Sequence, residues 1–270
     1  MSMAMVKNNY TQTDLSKGKV RVYDFGSAKL HAYQTCDLID DEVFVVEKQG
    51  KGFVIEYPCF FDNIKELENY IKEQSIQIEG IVASYHMAGA SFMKGTPVYA
   101  TAEADTYGHE GGGKALIDGF VQAFGDAFDG SIATVTNTIE GDTLELAGVA
   151  MNIVRNDEAF DIQIPELNVV YTHMMGHDCH SIVPGESGAD VMICQLKGFV
   201  SDGYSLILTS HYVPEDLKDA QIKIDYLENL KDLAAESSNA ADFKAKVQKK
   251  YPLYAGENYL DMTCGMFFAN

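Results

Sequence analysis

Short apolar segments of strand length, followed by helical patterns, occur in both halves of this chain and limit the folds that it can adopt. In the first half the strand segments precede FDNIKELENYIKEQ, a helical pattern for which Asp62 is the expected N-cap. In the second half, Leu and Ile recur at helical spacing from Pro214 to about Lys250. The segments predicted as strands are 21–26, 42–48, 52–58, 79–86, 96–103, 131–139, 142–154, 159–173 and 204–211. This mixture predicts an α/β protein.

The length of the chain and its composition favour one folded unit. The chain has 270 residues, of which 46% are hydrophobic, enough to bury a sizeable core. Because no Pro/Ser-rich linker separates the two halves, we expect a single domain over residues 1–270. Residues 1–18 are expected to form an extended or poorly ordered N-terminal segment.

The charge of the chain argues against several classes of partner. The formal net charge is −20, and no run of Lys and Arg forms a basic patch, so nucleic acid and anionic membranes are not expected to bind. No apolar stretch approaches the length that spans a bilayer, and the N-terminus lacks a signal-peptide pattern. The five cysteines are odd in number and widely spaced, which predicts reduced thiols and a cytoplasmic location.

Three histidines follow apolar strand segments directly. His86 follows GIVASY, His173 follows LNVVYT, and His211 follows YSLILTS. Open α/β sheets present ligand-binding groups at the carboxyl ends of their strands. A single histidine in such a position usually makes only local hydrogen bonds, but three of them favour a shared site.

The order of these features resembles the metallo-β-lactamase superfamily. GFVIEYPCFFDNIKELENYI resembles the strand, acidic turn and first helix of that family, and GIVASYHMAGASFMKGTPVYATAE resembles its metal-motif segment. IPELNVVYTHMM resembles the strand before the bridging aspartate, and LILTSHYVP the strand that delivers the last metal histidine. The resemblance implies an αββα sandwich, in which two mixed sheets are flanked by helices and metals lie at the sheet ends.

The metal motif of the family is largely missing from this sequence. Against His-x-His-x-Asp-His, the best register places Ser84, His86, Ala88 and Gly89 at the ligand positions, so that only His86 matches. A register shifted by one residue matches none. No histidine occurs at 155–157, where the third metal histidine is expected, so the resemblance implies a divergent member with a degenerate site.

The remaining ligands implied by the resemblance come from the second half. His211 matches the last metal histidine, and His173 or Met174 falls at the bridging aspartate. We therefore predict His86, His173 and His211 as ligands of one zinc or other divalent metal, and the sequence leaves open that no metal binds. The segment GHDCHS adds further possible ligands, which are His177, Asp178 and His180. A cleft at the sheet ends, open to a small-molecule ligand, would be lined by Ser84, Met87, Met174 and Met175.

Two functions follow, and the sequence does not decide whether the protein is an enzyme. The first is a hydrolase-fold protein with a degenerate metal site that acts in binding or regulation. The second is a metal-dependent hydrolase of an ester, amide or lactone with an altered, histidine-rich ligand set. A third, more distant alternative is nucleotide binding at GHEGGGKA (108–115), although Ala115 stands where the phosphate-loop motif needs Ser or Thr for magnesium. A helix is predicted to follow this loop over 114–128.

Overall fold

A computed structural model of the chain describes residues 6–269. The strands of its larger sheet are β1 Thr11–Asp14, β2 Lys19–Asp24, β3 Lys29–Gln34, β4 Glu42–Lys48, β5 Lys51–Ile55, β6 Gln77–Val82, β7 Val98–Ala100 and β8 Asn137–Thr138. These eight strands lie in sequence order, antiparallel from β1 to β5 and parallel from β5 to β8. The sheet is therefore mixed.

The smaller sheet is formed by the second half of the chain. Its strands are β9 Thr143–Leu146, β10 Val149–Arg155, β11 Phe160–Ile164, β12 Val169–Thr172, β13 Leu206–Thr209 and β14 Tyr212–Glu215. The six strands lie in the order β14-β13-β12-β11-β10-β9, and only β12 and β13 pair in parallel. Because β12 and β13 run in the same direction, their carboxyl ends meet at one edge of this sheet.

Seven helices flank the sheets in the described part of the chain. They are α1 Phe61–Glu73, α2 Ala102–His109, α3 Gly112–Phe124, α4 Gly185–Asp202, α5 Leu217–Ala235, α6 Ala240–Lys250 and α7 Glu257–Phe267. Helix α1 covers the larger sheet, where Tyr70 Oη lies 2.7 Å from His31 Nδ1 on β3. Helices α4 to α7 share a hydrophobic cluster with the smaller sheet.

Alternating side chains along β12 and β13 separate two hydrophobic cores. Val169, Tyr171 and Leu206 belong to the core that both sheets share. The intervening Val170 and Ile207 belong to the cluster packed against the helices. Both faces of these strands are therefore buried, which explains why their sequences are continuous apolar runs.

The fold class predicted from the sequence is confirmed, since two mixed sheets are flanked by helices. Several boundaries differ. Helix α1 starts one residue before Asp62, whose carboxylate lies in the first turn, and the N-cap is Phe60 without a side-chain cap. Only 98–100 of the predicted strand 96–103 is β-structure, because α2 begins directly after it. The helix predicted over 114–128 begins at Gly112 and ends at Phe124.

The N-terminal segment, the helices and the cysteines bear on three further expectations from the sequence. Of the segment 1–18, Thr11–Asp14 pairs as a strand with β2, and residues 1–5 lie outside the described residues. Within residues 6–269 no helix combines the length and apolar composition needed to cross a membrane. All five cysteines are free thiols.

Candidate metal centre

The three strand-end histidines converge at one point between the two sheets. His86 follows β6 of the larger sheet, His173 follows β12, and His211 lies in the turn between β13 and β14. The Nε2 atom of His86 lies 3.3 Å from that of His173 and 3.2 Å from that of His211. The third separation, between His211 and His173, is 3.3 Å. The three Nε2 atoms thus form a nearly equilateral triangle, and we call these residues the histidine triad.

The size of the triangle matches a tetrahedral metal site. Metal–nitrogen bonds of about 2.0–2.1 Å place tetrahedral ligands about 3.3–3.4 Å apart, and the observed edges are 3.2–3.3 Å. Three imidazoles would occupy one face of such a tetrahedron and leave its fourth position open. Catalytic zinc sites combine three protein ligands with an open position in this way.

The carboxylate of Asp41 supports two members of the histidine triad. Its Oδ1 atom lies 3.0 Å from His211 Nδ1, and its Oδ2 atom lies 3.8 Å from His86 Nδ1. Cys59 Sγ donates to the same Oδ2 at 3.4 Å. Asp41 is 2% exposed. Carboxylates on the second ring nitrogen fix the orientation and tautomer of metal-binding histidines, and Asp41 is placed for this role.

Burial and charge shift the pKa values of these groups in different directions. Burial lowers the pKa of His86, and it lowers the pKa of His173 well below its usual value with the help of its two histidine neighbours. Burial also acts to lower the pKa of His211, but contact with the Asp41 carboxylate outweighs it and the net shift is upward. Burial acts to raise the pKa of Asp41, yet His86 and His211 hold it below its usual value. Neutral His86 and His173 keep a lone pair for a metal.

Glu56 holds the loop that carries His86. This fully buried residue follows β5 and has a φ of +68°. Its carboxylate accepts the backbone N–H groups of Tyr85 at 2.8 Å and His86 at 2.9 Å, and the Tyr171 hydroxyl donates to it as well. Several charge-assisted hydrogen bonds to one carboxylate make the position of the His86 backbone well defined.

Two hydrogen bonds connect the strand ends that carry the histidine triad. Ser84 Oγ donates to the carbonyl of Phe160 on β11 at 2.6 Å, which ties the His86 loop to the smaller sheet. Ser210 N donates to the carbonyl of His173 at 3.0 Å. The relative positions of the three imidazoles are therefore set by the backbone as well as by Asp41.

The additional ligands predicted from GHDCHS do not join the histidine triad. His180 is 1% exposed, and its Nδ1 lies 2.8 Å from Tyr226 Oη. The exposed Asp178 carboxylate accepts the hydroxyl of Tyr212. His177 Nδ1 lies 2.9 Å from Glu215 Oε1. The structure therefore does not bring these possible ligands to the histidine triad, because the loop directs their side chains to different neighbours.

His177 belongs to a second group of potential ligand atoms, together with Glu215 and Asp219. Both oxygens of Glu215 already accept hydrogen bonds, from Gly176 N at 2.9 Å and from the backbone and ring of His177. Asp219 is paired with Lys7 and with the N-terminus of α5. These groups therefore anchor the 176–177 turn to α5 through hydrogen bonds that they already make.

The predicted cleft-lining residues are mostly buried. Ser84 is fully buried, and Met87 and Met175 are 1% and 3% exposed. Met87 belongs to the shared core of the sheets and Met175 to the core beneath the helices, so neither lines an open cleft. Met174 is half-buried. The strand and loop around these residues pack into the sandwich, whereas the histidine triad and Met174 keep part of their surface exposed.

The glycine-rich segment does not have the contacts of a phosphate-binding loop. Lys114 lies in the first turn of α3, and its Nζ donates to Asp118 at 2.6 Å. Gly112 and Gly113 pack closely on the side chain of Tyr107, and Gly111 packs on its backbone. The glycines are therefore accounted for by packing, which leaves nucleotide binding without structural support.

Sequence reasoning missed Asp41 and Glu56, although each has a local signal. Asp41 directly precedes the apolar strand β4, and Glu56 directly follows the apolar strand β5. A carboxylate this close to a buried strand has to be paired, because burying an unpaired charge is costly. The signal predicts a partner for each carboxylate, but it does not identify that partner.

Comparison with solved structures identifies the fold. A metallo-β-lactamase family protein from Thermus thermophilus superposes with a TM-score of 0.61 at 12% identity, over 89% of this chain and 91% of that one. A metallo-β-lactamase from Erythrobacter litoralis gives a TM-score of 0.56 at 12% identity, over 81% of this chain and 100% of that one. The chain therefore has the metallo-β-lactamase fold, and the resemblance seen in the sequence is confirmed at the level of the fold.

A larger enzyme contains the same fold. The stereoselective inverting sec-alkylsulfatase from Pseudomonas sp. gives a TM-score of 0.61 at 13% identity over 98% of this chain. This chain spans about half of that enzyme, since 51% of it is covered. No protein-family model matches the sequence, and no curated protein is significantly similar to it.

Proposed function

We propose that this protein is a metal-dependent hydrolase that binds a single divalent metal at the histidine triad and acts on an ester, amide or lactone. The observation that supports the proposal most is the triangle of Nε2 atoms, with edges of 3.2–3.3 Å. Without a metal each Nε2 atom is either a donor or an acceptor, so at most two of the three pairs can be hydrogen bonds and at least one pair joins two like groups, which repel. A common metal gives all three lone pairs a partner.

The donor set favours a particular class of metal. Imidazole nitrogens suit zinc, copper, iron and nickel, whereas magnesium, calcium and manganese prefer carboxylate and carbonyl oxygens. The converging ligand atoms of the triad are all nitrogens. We therefore expect zinc or a similar borderline metal to bind in preference to magnesium or calcium.

The positions that would hold a second metal are closed in this chain. The side chain of Ser84 is fully buried and bonded to Phe160. Ala88 forms an isolated β-bridge with Ile132. Gly89 has a φ of +95°, and a Cβ there would lie 2.2 Å from the carbonyl oxygen of Pro58. No larger side chain fits at Gly89 without moving the backbone, so the degenerate motif supports one metal rather than two.

The residues of the chain would bind and orient the metal and leave one side of it open. The histidine triad would supply the ligands, Asp41 would orient His211 and lies close to His86, and Glu56 fixes the loop that carries His86. A divalent metal at this position would supply Lewis acidity toward a carbonyl oxygen and would acidify water. A small molecule would approach from the open side, and the charge of −20 favours neutral or cationic substrates over polyanions.

A non-catalytic binding or regulatory role is the second candidate. One observation favours it, namely that the ligand atoms converging on the triad include no carboxylate that could accept a proton from water. In that case the metal site would recognise a ligand without turnover. The two candidates share the metal site and differ only in whether bound molecules are hydrolysed.

Metal titration of the purified protein tests the proposal. Protein freed of metal by a chelator should take up one equivalent of zinc per chain, and H86A, H173A and H211A should each weaken binding by at least about tenfold because a direct ligand is lost. H109A is the matched control, since His109 lies on the surface at the end of α2. Uptake of two equivalents, or unchanged affinity in the three variants, would contradict the proposed site.

Activity assays then separate the two candidates. The zinc-loaded protein should hydrolyse at least one substrate among aryl esters, lactones and amides, and chelation should abolish that turnover. Binding of one zinc without hydrolysis in any of the three classes would favour the binding role.

A further inference from the structure

The ring of Tyr85 lies flat against the ring of His173. The ring centroids are 4.2 Å apart, and the planes differ by only 9°. The other ring pairs around the site are tilted or edge-on, as between His86 and His173, whose planes differ by 89°. Tyr85 therefore covers one whole face of this imidazole and restricts its rotation about χ2.

His173 differs from the other members of the histidine triad in how its second nitrogen is supported. Asp41 approaches Nδ1 of both His86 and His211. Within residues 6–269, the hydrogen bonds and ion pairs of the His173 ring involve only Nε2. A metal-binding histidine usually needs a partner that fixes its ring plane, and at His173 the stacked tyrosine is the group that can do so.

Tyr85 itself is held on several sides. Its backbone N–H donates to Glu56 at 2.8 Å, and Asn156 Nδ2 donates to its hydroxyl at 2.7 Å. The ring of Tyr107 packs edge-on against it, with centroids 6.1 Å apart and planes at 79°. The stack on His173 is therefore backed by a fixed neighbour rather than by solvent.

The glycine-rich segment in turn encloses Tyr107. A Cβ on Gly113 would lie 2.7 Å from Tyr107 Cε1, and one on Gly112 would lie 3.1 Å from its Cε2. A Cβ on Gly111 would lie 3.0 Å from the Cα of the same tyrosine. Gly112 and Gly113 thus allow the start of α3 to pack directly on this ring, and Gly111 allows the chain to pass close to the Tyr107 backbone, which accounts for a motif that nucleotide binding does not explain.

We propose that Tyr85 is a positioning residue for His173, and that Tyr107 and glycines 111–113 hold Tyr85 in place. We call Tyr85, Tyr107 and these glycines the aromatic brace. The inference rests on the proposed metal site. The brace fixes the plane of His173 so that its Nε2 meets the metal, as Asp41 does for His211.

Two substitutions of Tyr85 test the brace directly. Y85F keeps the stacked ring and loses only the hydroxyl that Asn156 contacts, so its zinc affinity should stay within about threefold of wild type. Y85L removes the aromatic face, and its affinity should fall about 10- to 100-fold, as for loss of other groups that support metal ligands. Affinity is measured by competition with a chromophoric chelator. Cobalt(II) substituted for zinc should give the wild-type visible spectrum in Y85F and a shifted or weakened one in Y85L.

A second pair of variants tests the distant part of the brace. G113A should push the Tyr107 ring and weaken zinc binding at least about threefold, since a Cβ within 2.7 Å of a ring atom forces a shift. G119A is the matched control in the same helix, because its Cβ would meet nothing within 4 Å. G119A should therefore leave both the affinity and the cobalt spectrum unchanged.

The outcomes separate the brace from the metal site itself. If wild type binds one zinc and Y85L binds it equally well with an unchanged cobalt spectrum, the brace is refuted while the proposed function stands. If wild type binds no zinc, both are refuted. A drop in the melting temperature of Y85L with unchanged affinity and spectrum would show that Tyr85 only packs, and that result also overturns the inference.

Discussion

At the scale of single residues, burial determines the pKa of His31. His31 lies on β3 beneath α1 and is 3% exposed. Its Nδ1 lies 2.7 Å from Tyr70 Oη, whereas its Nε2 is buried and has no hydrogen-bond partner among residues 6–269. Burial lowers the pKa of His31 to about 4, because the charged ring would have to leave water.

This shift predicts a loss of stability in mild acid. In the unfolded chain the pKa returns to about 6.5, so between pH 6.5 and 4 the unfolded state binds the extra proton and the free energy of unfolding falls. The loss attributable to His31 is about 3 kcal/mol across this window, at about 1.4 kcal/mol per pH unit. H31F keeps a ring of similar size without titration, so this part of the acid loss should disappear. Urea denaturation at pH 7.0, 5.5 and 4.5 measures the difference.

Two further results would decide the assignment to His31. The substitution H109Q, on the exposed His109, removes a histidine without changing a buried position and should keep the wild-type pH dependence. If H31F lost stability toward acid as steeply as wild type does, the assignment to His31 would be wrong.

The convergence of the three histidines could be predicted from the sequence, whereas the residues that support them could not. Each histidine of the triad directly follows an apolar strand, and that rule uses only neighbours in the chain. Asp41 and Glu56 act on residues distant in sequence, since Glu56 accepts hydrogen bonds from the backbone of 84–86. No periodicity encodes such contacts. The converse holds for His177, a possible further ligand in the sequence: it lies close to His173 along the chain, but its ring contacts Glu215 and not the triad.

At the scale of elements, a helix could be predicted from the sequence where its apolar residues recur at regular helical spacing. Helices α1 and α5 each bury a regular set of side chains, and both were predicted. Helix α2 was not, because AEADTYGH buries only Ala104 and Gly108 and shows no apolar face. The N-cap Thr101, whose side chain accepts from Ala104 N at 3.2 Å, was the available signal for its start.

Helix α5 anchors the loop that contains GHDCHS through a buried lysine. Lys223 is fully buried, and its Nζ donates to the Gly176 carbonyl at 3.1 Å, the Cys179 carbonyl at 2.9 Å and Ser181 Oγ at 2.7 Å. Burial lowers the pKa of Lys223 to about 8, so the ammonium still donates three hydrogen bonds at neutral pH. The loop therefore depends on one side chain for much of its hydrogen bonding.

Replacing this lysine should destabilise the protein and loosen the loop. K223M keeps the apolar stem but leaves the carbonyls of Gly176 and Cys179 without their donor, at a cost of about 3 kcal/mol. Urea denaturation measures that loss, and backbone amides in 176–181 should exchange faster with solvent. K218M is the matched control on the exposed side of α5 and should change stability by less than about 0.5 kcal/mol. Equal stabilities of the two variants would show that the Lys223 hydrogen bonds contribute little.

At the scale of the whole molecule, the histidine triad joins the two sheets. His86 extends from β6 of the larger sheet, whereas His173 and His211 extend from β12 and β13 of the smaller one. A metal held by all three would connect halves of the chain that also meet through the shared apolar core, hydrogen bonds such as that of Ser84 to Phe160, and ion pairs such as Lys48–Glu166. The unfolded chain does not hold these three imidazoles together, so binding of the proposed metal would be coupled to folding.

This coupling predicts that zinc raises the melting temperature. A ligand that binds only the folded state stabilises it by about 4 kcal/mol when its concentration is 1,000 times its dissociation constant. For a chain of this size, that free energy corresponds to a rise of about 8 °C or more. Differential scanning fluorimetry of metal-free protein with and without zinc measures the shift, and excess chelator should reverse it. H173A should lose the shift, because only His86 and His211 would then remain to bind zinc, whereas the surface variant H109A should keep it. If wild type and H173A gained the same increase from zinc, the stabilising metal would lie outside the triad.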